Sequence, residues 1–259
     1  MDKKVIILDF DGTLYSGEHK FDLIPDIIEK NKRAFLPKLT DEEYAMICNE
    51  VPSWNTAIFG SELTKSITEM IEKFPDLPIS TKDFYLWQET HIVPIIIEPE
   101  QVIDLNFLQD LCHKYPVYIV SNSAPSHIEH YMKELAINPN WFREVISNPF
   151  YEHDTSKKPC YEKIAHNENI DPKNLLVFGD SRTSDLYPAK RLGAITGHVR
   201  DARLLPYMVK SALNLDTTNE EDYIKNLLKS HENNINNDPE FEHKKELLTQ
   251  YICELNIML

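Results

Sequence analysis

The sequence has few basic residues, no closely spaced cysteines and no long hydrophobic run. Its 27 lysines and arginines are outnumbered by 42 acidic residues, giving a net charge of −15. Nucleic-acid backbones and anionic membrane surfaces need a basic face, so both are excluded as bulk partners. A small anionic ligand is not excluded, because a few local cations or a metal can override net charge. Cys48, Cys112, Cys160 and Cys253 form no CxxC pair. They read as reduced thiols rather than a disulfide frame or a zinc site. The apolar run behind the charged "MDKK" is too short for a signal peptide or a membrane span. These absences lead to the expectation of a soluble, cytoplasmic protein with neither nucleic acid nor membrane as partner.

Short apolar runs are present in number. "VIIL" (5–8), "VYIV" (117–120) and "LLVF" (175–178) are continuous rather than alternating. That pattern predicts strands buried on both faces, as in a parallel sheet under helices. Weaker runs lie at Val145–Ile146 and Ile195–Val199. Between them, Ile128, Tyr131, Met132 and Leu135 share one helical face, as do Tyr161, Ile164 and Ala165. Alternating strands and helices predict an α/β fold with a doubly wound parallel sheet. Residues 16–97 break the alternation and read as helices over 22–36, 41–50, 56–74 and 83–96. They are expected to form an inserted subdomain, with hinges near Gly17 and near Pro94 or Pro99. Its aromatics (Trp54, Phe59, Tyr85, Trp87) read as subdomain core. Residues 1–15 and 98–215 then form the sheet domain, and 216–259 a helical extension. The stripe Phe241, Leu247, Leu248, Tyr251, Ile252 and Leu255 is expected to pack on the protein's own core, or else to form a homodimer or a contact with a partner.

The chemistry gathers at the strand ends. The first strand runs into Asp9, with Asp11 two residues on, in "DFDGTLY". The second ends at Ser121 and Asn122, and the next strong one at Gly179 and Asp180. Asp185 follows at the start of a helix. An Asp after a strand is usually a turn former or a helix cap, but neither role needs two of them. Open parallel sheets bind ligands at the carboxyl ends of their strands. Four carboxylates meeting there would repel, since each pair about 5 Å apart costs roughly 3 kcal/mol at an effective dielectric near 20. Either protons or a cation must offset this, and hard oxygen donors without Cys or His suit Mg²⁺ rather than zinc. Mg²⁺ recruits substrate phosphate, so the expected partner is a small-molecule phosphate ester. In "TSKKPCYEKI", Pro159 fits the first helical position, which places Lys158 at a helix N-terminus, a favourable place for an anion. Lys157 takes that place if the register is off by one.

"DFDGTLY", "VSNS", "SKKP" and "GDSRTSDLYPAKRLGA" resemble, in order and spacing, the four motifs of the haloacid dehalogenase superfamily. The resemblance covers roughly residues 1–15 and 98–200, and implies a Rossmann-like core. An insertion after the first motif matches that family's type-one helical cap, and is similar to pyrimidine 5′-nucleotidase-like members. By position, the resemblance implies that Asp9 is the nucleophile that becomes an aspartyl-phosphate. Asp11 becomes the general acid and then the base, held protonated at first by its neighbour's charge. Ser121, Asn122 and Lys158 hold the phosphoryl group. Asp9, the Asp11 carbonyl and Asp180 bind Mg²⁺, and Asp185 binds it directly or orients its waters. A carboxylate at Asp11 argues against dehalogenation, since halide leaves without a proton. The expected function is a Mg²⁺-dependent phosphohydrolase acting on a phosphate monoester, for instance a nucleotide or sugar phosphate. The alternatives are a phosphomutase of the same superfamily and a non-catalytic phosphate-binding or interaction module.

Overall fold

Four consecutive apolar residues, Val5–Leu8, form strand β1 because both of its faces are covered. The computed structural model describes residues 3–15, 39–56, 60–76, 102–148 and 156–234. Val117–Ser121 (β2), Glu144–Ser147 (β3), Leu175–Gly179 (β4) and Ile195–His198 (β5) complete a parallel sheet of order β3-β2-β1-β4-β5. Ile7 lies between Tyr118 of β2 and Val177 of β4. From β1 the chain fills one side of the sheet and then crosses to the other, so the switch point flanks β1.

Alternation along β1 divides the core. Ile6, Leu8 and then Phe10 enter one cluster, with Leu108, Leu111, Ile128, Tyr131 and Met132. These come from helices Leu105–Lys114 (α4) and Pro125–Glu134 (α5). Val5 and Ile7 enter the opposite cluster, with Tyr161, Ile164 and Ala165 of helix Lys158–Asn167 (α6). Each aliphatic side chain so buried contributes roughly 1.5–3 kcal/mol. Helices Tyr187–Lys190 (α7) and Leu205–Ala212 (α8) flank β5 in the chain. Helix Thr218–Asn234 (α9) joins the first cluster through Ile224, so the start of the tail packs on the core.

Tyr15, just past the turn after β1, and Val102 form an antiparallel bridge. The Ile103 amide donates to the Leu14 carbonyl at 2.9 Å beside it. Between them, Asp41–Glu50 (α1), Pro52–Thr56 (α2) and Gly60–Lys73 (α3) follow one another. A capping box of Thr40 and Glu43 starts α1, and Pro52 opens α2, where its missing N–H costs nothing. Ile47, Val51, Trp54, Ile67 and Met70 make a separate small cluster. Trp54 is therefore core, as expected. The expected helices at 22–36 and 83–96, the hinges at Gly17, Pro94 and Pro99, the aromatics Phe59, Tyr85 and Trp87, and the C-terminal stripe from Phe241 lie outside the described residues. Among the described residues, no helix is long and apolar enough to cross a membrane.

Candidate active site

Asp9 follows β1, and its amide donates to the Phe178 carbonyl at 2.9 Å, tying the ends of β1 and β4. It continues the series Val5, Ile7 and so falls on the α6 side of the sheet. There it meets Lys157, whose Nζ lies 2.6 Å from Asp9 Oδ1 and 2.6 Å from Asp185 Oδ1. Lys158 is not in this site. Its side chain is 44 % exposed and pairs with Glu162 at 3.3 Å, whereas the Lys157 side chain is 2 % exposed. The reason is the register of the helix start. α6 begins at Lys158 with Pro159 in its first turn, and Lys157 is the cap residue just outside it. The lysine outside the helix turns back under the strand ends, and the one inside lies along the helix surface toward its i+4 neighbour.

Asp9, Asp180 and Asp185 each offer a carboxylate oxygen within 4.8 Å of the others. Asp180 follows β4 at the solvent edge, while Asp185 is buried. Asp185 sits in a π-helical turn, Arg182–Leu186, a local distortion often found at functional sites. It accepts from the Ser181 amide at 2.9 Å and the Ser184 hydroxyl at 3.4 Å. Two glycines let these side chains in. A Cβ on Gly12 would stand 2.7 Å from Asp180 Cγ, and one on Gly179 would stand 2.6 Å from Asp185 Cγ. Gly12 also has a φ of +70, which L side chains rarely adopt. His198, given no role by the sequence, is hydrogen-bonded to the Asp180 carbonyl at 2.8 Å.

The electrostatics follow from crowding. Burial raises the Asp9 carboxyl well above the usual carboxylate range; Lys157 pulls against it, and the Asp185 and Asp180 charges add to it. Desolvation and then the Asp185 charge push Asp180 up to about 6. Burial would lower the Lys157 ammonium, but Asp9 and Asp185 outweigh it and hold it above the usual lysine range. One ammonium faces three carboxylates, so net negative charge remains. The site fits a further cation, and an all-oxygen donor set fits Mg²⁺.

Asp11 does not join this cluster. Past Phe10 the chain turns, and the Asp11 carboxylate meets the α5 side instead. His127 Nε2 lies 2.8 Å from Oδ1, which also accepts from the Tyr15 hydroxyl. Oδ2 accepts from Ser123 Oγ at 2.5 Å and, more weakly, from Ser121 Oγ at 3.4 Å. Burial favours the neutral acid, but His127, Ser123 and Tyr15 outweigh it and hold Asp11 well below the usual carboxylate range. The expectation that a neighbouring charge keeps Asp11 protonated is corrected on this point: a ring of donors favours the carboxylate.

Ser121 is buried at the end of β2, and its Oγ accepts from the Ser123 amide at 3.0 Å. Asn122 lies beside it, its side-chain oxygen accepting from Asn148 Nδ2 at 3.0 Å. Ser147 Oγ donates to the Ser123 carbonyl at 2.6 Å. The end of β3 thus braces the loop after β2. The structure therefore gathers Asp9, Asp11, Ser121, Asn122, Asp180 and Asp185 at the carboxyl edge, replaces Lys158 by the alternative Lys157, and adds Tyr15, Ser123 and His127.

A haloacid dehalogenase-like hydrolase family model matches residues 3–193. Among curated proteins, none matches the chain. A haloacid dehalogenase-like family hydrolase from Xanthomonas campestris is similar at 14% identity and a TM-score of 0.47, covering 81% of this chain and 95% of its own. A family enzyme from Bacteroides thetaiotaomicron, solved with magnesium and inorganic phosphate, is 20% identical with a TM-score of 0.43, covering 76% and 94%. A predicted phosphoglycolate phosphatase from Haemophilus somnus is 17% identical with a TM-score of 0.46, covering 75% and 84%. With most of its sheet domain inside the matched span and its polar residues gathered at the carboxyl edge, the chain belongs to the haloacid dehalogenase-like hydrolase family.

Proposed function

We propose that this protein is a Mg²⁺-dependent phosphohydrolase that cleaves a small-molecule phosphate monoester through an aspartyl-phosphate on Asp9. The observation that supports it most is the buried Asp9 carboxylate, paired with Lys157 at 2.6 Å and crowded by Asp180 and Asp185. Asp9, Asp180 and Asp185, with the Asp11 carbonyl, would hold the ion. When bound, it supplies positive charge to the phosphoryl oxygens.

The chain's own residues divide the work. An Asp9 oxygen forms a bond to phosphorus while the bond to the leaving oxygen breaks; Asp11, which its donors hold as a carboxylate before substrate arrives, takes up a proton from solvent as the substrate binds and passes it to that oxygen. Water then attacks the phosphorus, Asp11 takes its proton, and the Asp9–phosphorus bond breaks to release phosphate. Such proton transfers are worth about 10²–10⁴ in rate. Lys157 orients Asp9 and offsets charge that grows on the phosphoryl group. Ser121 and the loop through Asn122 hold the phosphoryl oxygens. In this reading, residues 16–97 form a helical cap that shields the reaction from bulk water. Among the described residues Cys48, Cys112 and Cys160 are in no disulfide, which suits a reducing cytoplasm.

The test is hydrolysis of p-nitrophenyl phosphate with Mg²⁺ and with EDTA. Metal-dependent release of phosphate is expected, and Asp9→Asn should abolish it while preserving the circular dichroism spectrum. Retained activity in that variant refutes Asp9 as nucleophile.

A further inference from the structure

We infer that His127 is a positioning residue that, with Tyr15, fixes the Asp11 carboxyl group for proton transfer to the leaving oxygen. This rests on the phosphohydrolase proposed above. An aspartate side chain has two rotatable bonds, and a group that must meet one leaving oxygen gains from having both fixed. His127 and Tyr15 converge on one oxygen, Asp11 Oδ1, from different elements. His127 is in the first turn of α5, and Tyr15 lies just past the turn after β1.

The two partners are themselves held by one ring. Tyr131, one turn along α5, packs on His127 with ring centroids 4.7 Å apart and stacks on Tyr15 at 5.9 Å. Phe10 meets Tyr15 edge-on at 5.5 Å. Tyr15 and Tyr131 are core residues, so the clamp is anchored in the main hydrophobic cluster. The His127 side chain is 23 % exposed, at the boundary between that cluster and the open edge of the sheet. A histidine serving only to tie α5 to the core would not need to meet the carboxyl oxygen that Tyr15 already meets.

The chemistry supplies a readout that a merely structural role does not move. p-Nitrophenolate departs from phosphorus without a proton, whereas an alkoxide needs one. The second step is the same for every ester, so kcat/KM isolates the step in which the leaving group departs. The experiment measures kcat/KM with Mg²⁺ for p-nitrophenyl phosphate and for a simple alkyl phosphate, in wild type, His127→Ala, His127→Gln and Tyr15→Phe. His127→Ala is expected to lose roughly 10²-fold on the alkyl ester but only about threefold on the aryl ester. His127→Gln restores most of the alkyl activity, because its amide nitrogen reaches the place of Nε2. Tyr15→Phe, which keeps the ring packing, shows the same selective loss and carries the comparison if His127→Ala does not fold. Equal losses on both esters overturn the inference and leave the phosphohydrolase standing. A wild type that turns over neither ester overturns both.

Discussion

Gly12→Ala, Gly179→Ala and Gly193→Ala separate two costs that a single substitution would confuse. Gly12 and Gly193 both have left-handed backbones, with φ of +70 and +81. An alanine in that region costs about 1–2 kcal/mol. Around Gly193 a Cβ meets nothing within 4 Å, so its variant carries the backbone cost alone. At a few °C per kcal/mol for a chain of this size, Tm should fall by about 2–8 °C. Gly179 has the reverse problem: its backbone is ordinary, but its Cβ would stand 2.6 Å from Asp185 Cγ. Gly12 combines both, with its Cβ 2.7 Å from Asp180 Cγ. Real Cβ atoms essentially never come within 3.0 Å, so an acidic side chain must move in each of the last two variants. Displacing a metal-holding carboxylate typically weakens affinity about 10–100-fold, by analogy with the loss of groups that orient such ligands. The assay is thermal unfolding with and without MgCl₂, paired with calorimetric titration of Mg²⁺. Gly193→Ala should keep the wild-type Mg²⁺ response while losing stability. Gly12→Ala and Gly179→Ala should lose the response. If Gly12→Ala and Gly193→Ala proved alike in both measurements, the packing of Gly12 against Asp180 would not serve the metal site.

Neighbouring lysines give a second contrast. Lys157→Met leaves buried carboxylates without their partner and should cost about 3–5 kcal/mol in chemical denaturation. Lys158→Ala breaks a surface pair and should cost less than about 1 kcal/mol; equal losses would refute the assigned register. The Lys157 contribution stays constant at neutral pH, because a lysine raised in the fold loses its effect only above its ordinary value of 10.5. Asp180 behaves differently. Its carboxyl rises from 3.8 to about 6, so the folded state binds the proton more tightly and stability falls as pH rises across that window. Solvent at the exposed edge weakens the effect. Denaturant midpoints between pH 4 and 7 should show this fall in EDTA and lose it in MgCl₂; a rise in EDTA would contradict the crowding argument.

The sheet was legible because burial on both faces leaves continuous apolar runs, and all five runs became strands. The strand-end acids were legible for a related reason: a charge directly after such a run needs an explanation. The choice between Lys157 and Lys158 was not. Both precede Pro159, and local rules accept either as the residue at the helix start. Only the space under β1 and β4 selects the one outside the helix. The partners of Asp11 were hidden for the same reason. Ser123 and His127 lie more than a hundred residues along the chain, in a segment whose apolar pattern reports its buried face and not its polar edge. Asp11 was misread electrostatically because the adjacent acid is visible in sequence, while the donors that outweigh it come together only on folding.

The bridge between Tyr15 and Val102 has a consequence for how this architecture can change. The two residues are stitched together, so the intervening chain closes a loop whose ends are already fixed. Doubling the length of such a loop costs only about 0.6 kcal/mol in closure entropy. The chain between those two residues can therefore be lengthened, trimmed or exchanged while the bridge that joins its ends stays in place.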